Sequence, residues 1–338
     1  MYISLDSRLF GLRLKSLRKR GFFLFGREVI MMRTLVLNDR VPSVQGSLSV
    51  KLKEIFRMFK KKQLHELITE LRSNENIVNW HETEPIEAKT APMPSDLDPR
   101  LRAALVKRGI TELYSHQHTA YEYVQKGENI VAVTPTASGK TLCYNLPVLQ
   151  AIAKDDTSRA LYLFPTKALA QDQKSELNEV IKEMGIDIKS YTYDGDTSPA
   201  IRQLIRKAGH IVITNPDMLH SGILPHHTKW VSLFENLKYI VIDELHTYRG
   251  VFGSHVANVI RRLKRICSFY GSQPLFICTS ATIANPKELG EQLTGAPMRL
   301  INDNGAPRGR KHFVFYNPPV VNEALNIWKS ATVEVNEL

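Results

Sequence analysis

Between residues 130 and 294, short β-branched apolar runs alternate with longer amphipathic segments, and this alternation restricts the fold more than any other feature of the chain. Runs at Ile130 to Thr134, Ala160 to Phe164, Ile188 to Tyr193, Ile211 to Thr214, Tyr239 to Asp243 and Leu275 to Ser280 read as strands buried on both faces. Helices are expected over 140–153, 168–184, 199–208, 254–270 and 286–294, where apolar residues recur at helical spacing. Near-continuous apolar strands separated by helices predict an α/β fold, a parallel sheet with helices on both faces. Ligands of such sheets sit at the carboxyl ends of the strands, and the polar clusters of this chain fall there.

Of the 338 residues 43% are hydrophobic, and no apolar run approaches the roughly 20 residues of a membrane span. The formal charge of +11 suggests nucleic acid until its distribution is read. Residues 1–57 hold twelve Lys and Arg against four Asp and Glu, so the rest of the chain is nearly balanced. Binding to a polyanion must therefore come from a local surface. Cys143, Cys267 and Cys278 lack the short pair spacings of metal or redox motifs and read as reduced core residues, with a cytoplasmic compartment as the default.

Residues 1–57 form a basic extension, read either as disordered or as not native to the protein. Met58 is the expected biological start, because Leu64, Leu67, Ile68 and Leu71 behind it recur at helical spacing. A connector follows over 79–100, marked by Pro85, Pro92, Pro94 and Pro99. The main domain is expected over 101–317, closed by a strand from Phe313 to Tyr316, and Pro318 with Pro319 opens a linker over 318–338.

TPTASGKT, Thr134, Pro135, Thr136, Ala137, Ser138, Gly139, Lys140 and Thr141, lies between an expected strand and an expected helix, where a phosphate-binding loop belongs. Backbone amides and the positive end of the helix dipole would receive the phosphates of ATP. Lys140 would reach the β- and γ-phosphates, and the Thr141 hydroxyl would ligate Mg²⁺. The strict pattern has Gly where this chain has Thr134. The apolar strand of IVIDELH ends in Asp243, placed to hold Mg²⁺, and Glu244, placed as general base toward the attacking water. Alone, that pair reads as two solvated acids; the order of the two motifs favours chemistry. TSATI closes another strand with Ser280 and Thr282, which without context is a satisfied turn.

The ordered set TPTASGKT, FPTKALAQDQ, ITNPDMLH, IDELH and TSAT resembles the first half of the DExH/DEAD-box superfamily 2 helicases, and its longer strings resemble the RecQ-like group of the bacterial mitomycin repair factor A type. The resemblance runs from about Met58 to the C-terminus. It implies a RecA-like P-loop NTPase fold, ATP with Mg²⁺, a DNA strand as partner more than RNA, and a role in DNA repair. It implies that Gln117 reads the adenine edge, although an exposed helix-start residue is an equal reading of the residue alone. Pro165, Thr166 and Lys167, with Thr214, Asn215 and Pro216, would contact the phosphodiester backbone. His246, Ser280, Ala281 and Thr282 would couple nucleotide state to strand grip. Asp194 to Thr197 reads as a turn, and Arg261, Arg262, Lys264 and Arg265 as a solvated helix face. The family also carries a second RecA-like domain with arginine fingers and a downstream cysteine domain, so the 338-residue polypeptide is expected to bind ATP and turn it over poorly. An RNA-directed motor and a non-catalytic binding module stay open as alternatives.

Overall fold

The computed structural model describes residues 64–330 except 326, together with the strands Tyr2–Asp6, Phe22–Phe25 and Glu28–Met31. Met58 and the helical turn expected after it lie outside the described residues. The contacts divide the chain into Glu87–Pro307 and a flanking unit built from the segments on either side.

Seven parallel strands form the centre of Glu87–Pro307: β1 Ile130–Val133, β2 Arg159–Leu163, β3 Ser190–Thr192, β4 Ile211–Thr214, β5 Leu237–Ile242, β6 Leu275–Ser280 and β7 Arg299–Ile301. Their spatial order is β7-β1-β6-β5-β2-β4-β3. Every residue of β1 and β4 is buried, as the absence of polar alternation requires. Successive side chains still part to opposite faces. Ile130, Ala132, Tyr162, Ile213 and Val241 join one apolar layer, while Val131, Val133, Leu161, Val212 and Ile240 join the other.

Seven principal helices cover the sheet: α1 Pro99–Lys107, α2 Ser115–Gln125, α3 Thr141–Lys154, α4 Lys167–Met184, α5 Pro199–Ala208, α6 Gly250–Phe269 and α7 Pro286–Thr294. Local chemistry sets their ends. The Thr166 hydroxyl caps α4, Ser198 caps α5 ahead of Pro199, and Gly185 and Gly295 end α4 and α7 in the left-handed conformation. Between Pro216 and Glu235 the chain runs through short helical turns that bury Leu219, Ile223, Leu224, Trp230 and Phe234. Because all seven strands point the same way, the segments after β1, β2, β4, β5 and β6 emerge at one edge. Among the described residues no helix is long and apolar enough to cross a membrane.

In the flanking unit the helix Leu64–Arg72 precedes the strand Ile77–Thr83, which pairs antiparallel with Lys311–Tyr316. Tyr2–Asp6 pairs with the same central strand, although the sequence suggests an extension outside any domain. Glu82 ties this unit together: it accepts from Trp80 Nε1 at 3.0 Å, lies 3.3 Å from His312 Nδ1 and pairs with Arg72. The strand closing at Tyr316 thus belongs with Ile77–Thr83, and the contact boundary falls at Pro307 where the sequence suggests 317. The connector expected over 79–100 holds the end of one strand, the pair Thr90–Ala91 and the start of α1.

Candidate nucleotide and strand site

The turn from β1 into α3 closes on itself. Thr134 Oγ1 and Ser138 Oγ lie 2.5 Å apart, both buried, so the threonine that replaces the expected glycine clasps the two ends of the loop. Pro135, Thr136 and Ala137 form its exposed tip. Ala137 (φ 64°) and Gly139 (φ 78°) both have positive φ, the backbone sign found in anion-binding turns. Lys140 is half-buried at the head of α3, and Thr141 starts the helix.

Gln117, in the first turn of α2, is only 3% exposed, so the exposed helix-start reading fails. Its Oε1 accepts from Tyr114 N at 3.0 Å and its Nε2 donates to Gly139 O at 2.9 Å. A Cβ at Gly139 would sit 2.6 Å from that Nε2, so a larger residue there would displace the Gln117 amide, and the positive φ also favours glycine. Tyr114, Gln117, Gly139, Thr141 and Asn145 line a cleft of about 410 Å³ beside the loop. His116 is 1% exposed and accepts from Gly305 N at 3.2 Å; burial pushes its pKa down to about 4, against the backbone of Ser138 and the charge of Asp303.

Beyond β5, Asp243 is 8% exposed, and its Oδ1 accepts from Thr279 Oγ1 and from Glu244 N at 2.8 Å. Burial raises its pKa, and the Thr279 bond and nearby Lys140 oppose that rise. Glu244 is half-buried and held at φ 54°. Glu244 and Ala137 are the two non-glycine residues with positive φ among those described, and both lie in this site. His246 Nδ1 lies 3.2 Å from Glu244 Oε2, 3.5 Å from Ser280 Oγ and 3.3 Å from Ala281 N. Thr282 is exposed beyond them.

The residues suit Mg²⁺. A threonine hydroxyl and a desolvated carboxylate are hard oxygen donors, and among the described residues no group of three or more His, Cys, Asp or Glu could hold a metal. A cation that keeps several waters and takes its other ligands from phosphates needs no more than that pair.

The motifs after β2 and β4 fare unequally. Thr166 is exposed, and its hydroxyl accepts from Leu169 N at 3.3 Å. Lys167 is exposed and paired with Asp196 at 2.7 Å. Asn215 caps the next turn through Met218 N at 2.7 Å, beside half-buried Pro165 and buried Pro216. Thr214 departs from the exposed strand contact its motif suggests: it is 2% exposed, and its hydroxyl is already committed to Tyr193 O at 2.7 Å. Asp194 to Thr197 forms a turn in which Asp194 Oδ1 accepts from Asp196 N and Thr197 Oγ1, both at 3.0 Å. In the basic stretch, Lys264 Nζ donates to Gly295 O at 2.8 Å and so caps α7, where the sequence suggests a solvated face. Cys143, Cys267 and Cys278 are buried and free, their thiols pushed up to about 12, 11 and 12 by burial.

Sequence reasoning assigned no role to Thr279, Gln173 or His116. Thr279 lies inside the quoted TSATI and Gln173 inside FPTKALAQDQ; position within a motif was the available signal, but their partners come from other strands and helices.

With this geometry in view, the relatives fall into place. The DEAD/DEAH box helicase family matches residues 114–289. The uncharacterized ATP-dependent helicase YprA of Bacillus subtilis is 83% identical over 279 residues, 82% of this chain and 37% of its own length. ATP-dependent helicase hrq1 of Schizosaccharomyces pombe is 40% identical over 265 residues, 76% of this chain and 25% of that protein. A crystal structure of the DUF1998 helicase MrfA bound to DNA superposes with a TM-score of 0.79 at 83% identity, covering 82% of this chain and 37% of that one. The match to the Mycobacterium smegmatis helicase Lhr, at 24% identity and a TM-score of 0.56, shows the RecA-like fold alone. The chain spans little more than a third of the length of YprA and MrfA. On the family match and these identities, the chain belongs to the DEAD/DEAH box helicases.

Proposed function

We propose that this chain is the ATP-binding motor domain of an ATP-dependent DNA helicase acting in repair, and that strand separation belongs to a longer protein of which these residues form the first motor. The observation that carries the reading is the convergence of the Thr134 to Thr141 loop, Asp243, Glu244 and His246 at one edge of a parallel sheet. The DNA in the MrfA structure, and the DNA and AMPPNP in a second MrfA structure 82% identical to this chain, support the choice of DNA and ATP.

In this proposal the backbone N–H groups of Thr136 to Gly139 receive the phosphates, and Lys140 reaches the β- and γ-phosphates. Thr141 and Asp243 hold Mg²⁺, which supplies neutralisation of the phosphate charge when bound. Glu244 takes a proton from the attacking water; its positive φ sets the direction in which the side chain leaves the backbone, and His246 Nδ1 lies 3.2 Å from its carboxylate. Gln117 orders the loop and borders the base. Pro165, Thr166, Lys167, Asn215 and Pro216 meet the phosphodiester backbone; His246, Ser280, Ala281 and Thr282 pass the nucleotide state to that grip. The second RecA-like domain and cysteine domain of the family lie outside the stretch matched here, so arginine-finger catalysis is assigned to the longer protein. Three buried, free cysteines support a reducing, cytoplasmic setting.

Fluorescence anisotropy with single-stranded DNA and RNA of one length tests the partner. Tighter DNA binding that weakens on Lys167→Ala is expected. Equal or tighter RNA binding would overturn the choice of DNA.

A further inference from the structure

Thr141 presents a difficulty that its motif does not resolve. A hydroxyl that ligates a cation must offer a lone pair, so its proton has to point elsewhere. Left unpartnered, the hydroxyl rotor would spend part of its time with that proton toward the metal. Thr141 Oγ1 donates to Gln173 Oε1 at 3.3 Å. Tyr144 OH donates to the same oxygen at 3.0 Å. Tyr144 is 1% exposed, its ring set edge-on to Tyr162 at 5.4 Å, and burial raises its phenol pKa so that the donor keeps its proton. Two donors on one carbonyl oxygen fill both of its lone pairs and fix the carboxamide. Turned the other way, the amide would donate N–H bonds into the very oxygen that must face the cation.

Gln173 lies on α4, the helix that Thr166 caps and Lys167 opens. At a rise of 1.5 Å per residue it stands about 10 Å along the helix from those residues. One rigid element therefore bears the expected strand contacts at its start and touches the expected Mg²⁺ ligand two turns later.

We propose that Gln173 is a positioning residue for Thr141: its side-chain carbonyl, steadied by Tyr144, accepts the hydroxyl proton and leaves the Thr141 lone pairs toward the divalent cation of the nucleotide complex. This rests on the ATP reading above and extends it to a residue outside the loop. The helix α4 transmits any shift of Thr166 and Lys167 to this bond, so a strand at the start of α4 tightens or loosens the cation site. Outer contacts to a metal ligand typically alter cation affinity about 10- to 100-fold when removed.

The test is binding of a fluorescent non-hydrolysable ATP analogue to the 338-residue chain, measured in EDTA and across a Mg²⁺ titration. Gln173→Leu removes the acceptor; Gln173→Glu keeps it. In Gln173→Leu the Mg²⁺-dependent gain in affinity is expected to fall about tenfold, with affinity in EDTA unchanged. Gln173→Glu is expected to keep that gain within about threefold of the parent, and Tyr144→Phe, which leaves Gln173 in place but unsteadied, to lose about threefold. Should Gln173→Leu fail to fold, Tyr144→Phe carries the test alone. The proposal is overturned if Gln173→Leu, or Tyr144→Phe in its stead, keeps the full Mg²⁺ gain, or if the Leu and Glu variants lose it equally. Equal loss with and without Mg²⁺ would also overturn it, by marking a packing role. A parent chain that binds no better than Lys140→Ala would sink the ATP reading itself and this proposal with it.

Discussion

The backbone N–H of Ala281 donates to Nδ1 of His246 over 3.3 Å, joining the end of β6 to the turn that follows β5. The same nitrogen lies 3.2 Å from the Glu244 carboxylate. Nδ1 can accept from Ala281 with its lone pair, or donate to Glu244 as N–H, but cannot do both at once. A shift of Glu244 toward water thus favours the Ala281 bond, and a shift back weakens it. His246→Ala is expected to cost about 1 kcal/mol of stability, the worth of one net hydrogen bond. Nucleotide affinity should stay within about twofold, while the effect of bound nucleotide on strand affinity disappears; paired titrations with and without the ATP analogue measure it.

The loop after β1 predicts an asymmetry between neighbouring positions. Gly139→Ala places a Cβ 2.6 Å from Gln117 Nε2 at φ 78°, so it should displace that amide from Gly139 O, weaken analogue binding about threefold and lower the melting temperature. Ala137→Gly, at the exposed tip with φ 64°, should change stability by less than about 1 kcal/mol, because relief of backbone strain offsets the added chain entropy. Ala137→Val, β-branched in the same conformation, should cost roughly 1 kcal/mol or more. Thermal melts and analogue titrations on the three variants check the order.

Thr214 yields a prediction opposed to its motif. Its buried hydroxyl donates to Tyr193 O at 2.7 Å, so Thr214→Val leaves a carbonyl unpaired at the sheet edge and should cost about 1–3 kcal/mol. Strand affinity of the folded variant should match the parent. Urea unfolding together with strand titration separates the two effects.

The central sheet was legible because its strands are short and uniformly apolar, and helices 199–208 and 286–294 match α5 and α7 to the residue. The six expected strands are present; β7 at Arg299–Ile301 was not expected, since an edge strand of three residues with one buried side chain leaves no periodic trace. The sequence marks the start of α2 at Gln117 without giving its length, because its buried face opens on the polar His116 and Gln117 before Ala120, Tyr121 and Val124. At the site, residues within a motif were readable from order along the chain. The partners of those residues were not: Gln173 against Thr141, Thr279 against Asp243 and Asp196 against Lys167 meet only because β1, β2, β3, β5 and β6 end at one edge. The same blindness assigned Thr214 to a strand contact, since a motif does not reveal that a hydroxyl is already occupied.

His116 sets a pH dependence. Burial holds its folded pKa at about 4, below the 6.5 of the free side chain, so the unfolded chain binds the extra proton first. The stability it contributes is complete above pH 6.5 and is lost as the pH falls toward about 4. His116→Asn keeps an acceptor near the place of Nδ1 and cannot titrate there. The variant should be less stable than the parent at pH 7.5, and the gap should narrow on acidification to pH 4.5. Denaturant midpoints at the two pH values measure it; a constant gap would mean that His116 does not carry this proton linkage.

The central claim, that the loop from Thr134 to Thr141 is an ATP site, is tested most directly by titrating the 338-residue chain with a fluorescent ATP analogue and Mg²⁺ beside Lys140→Ala. The account predicts saturable binding by the parent that weakens at least tenfold in the variant, with both proteins melting at the same temperature. Equal binding by two folded proteins, or none by either, would contradict it.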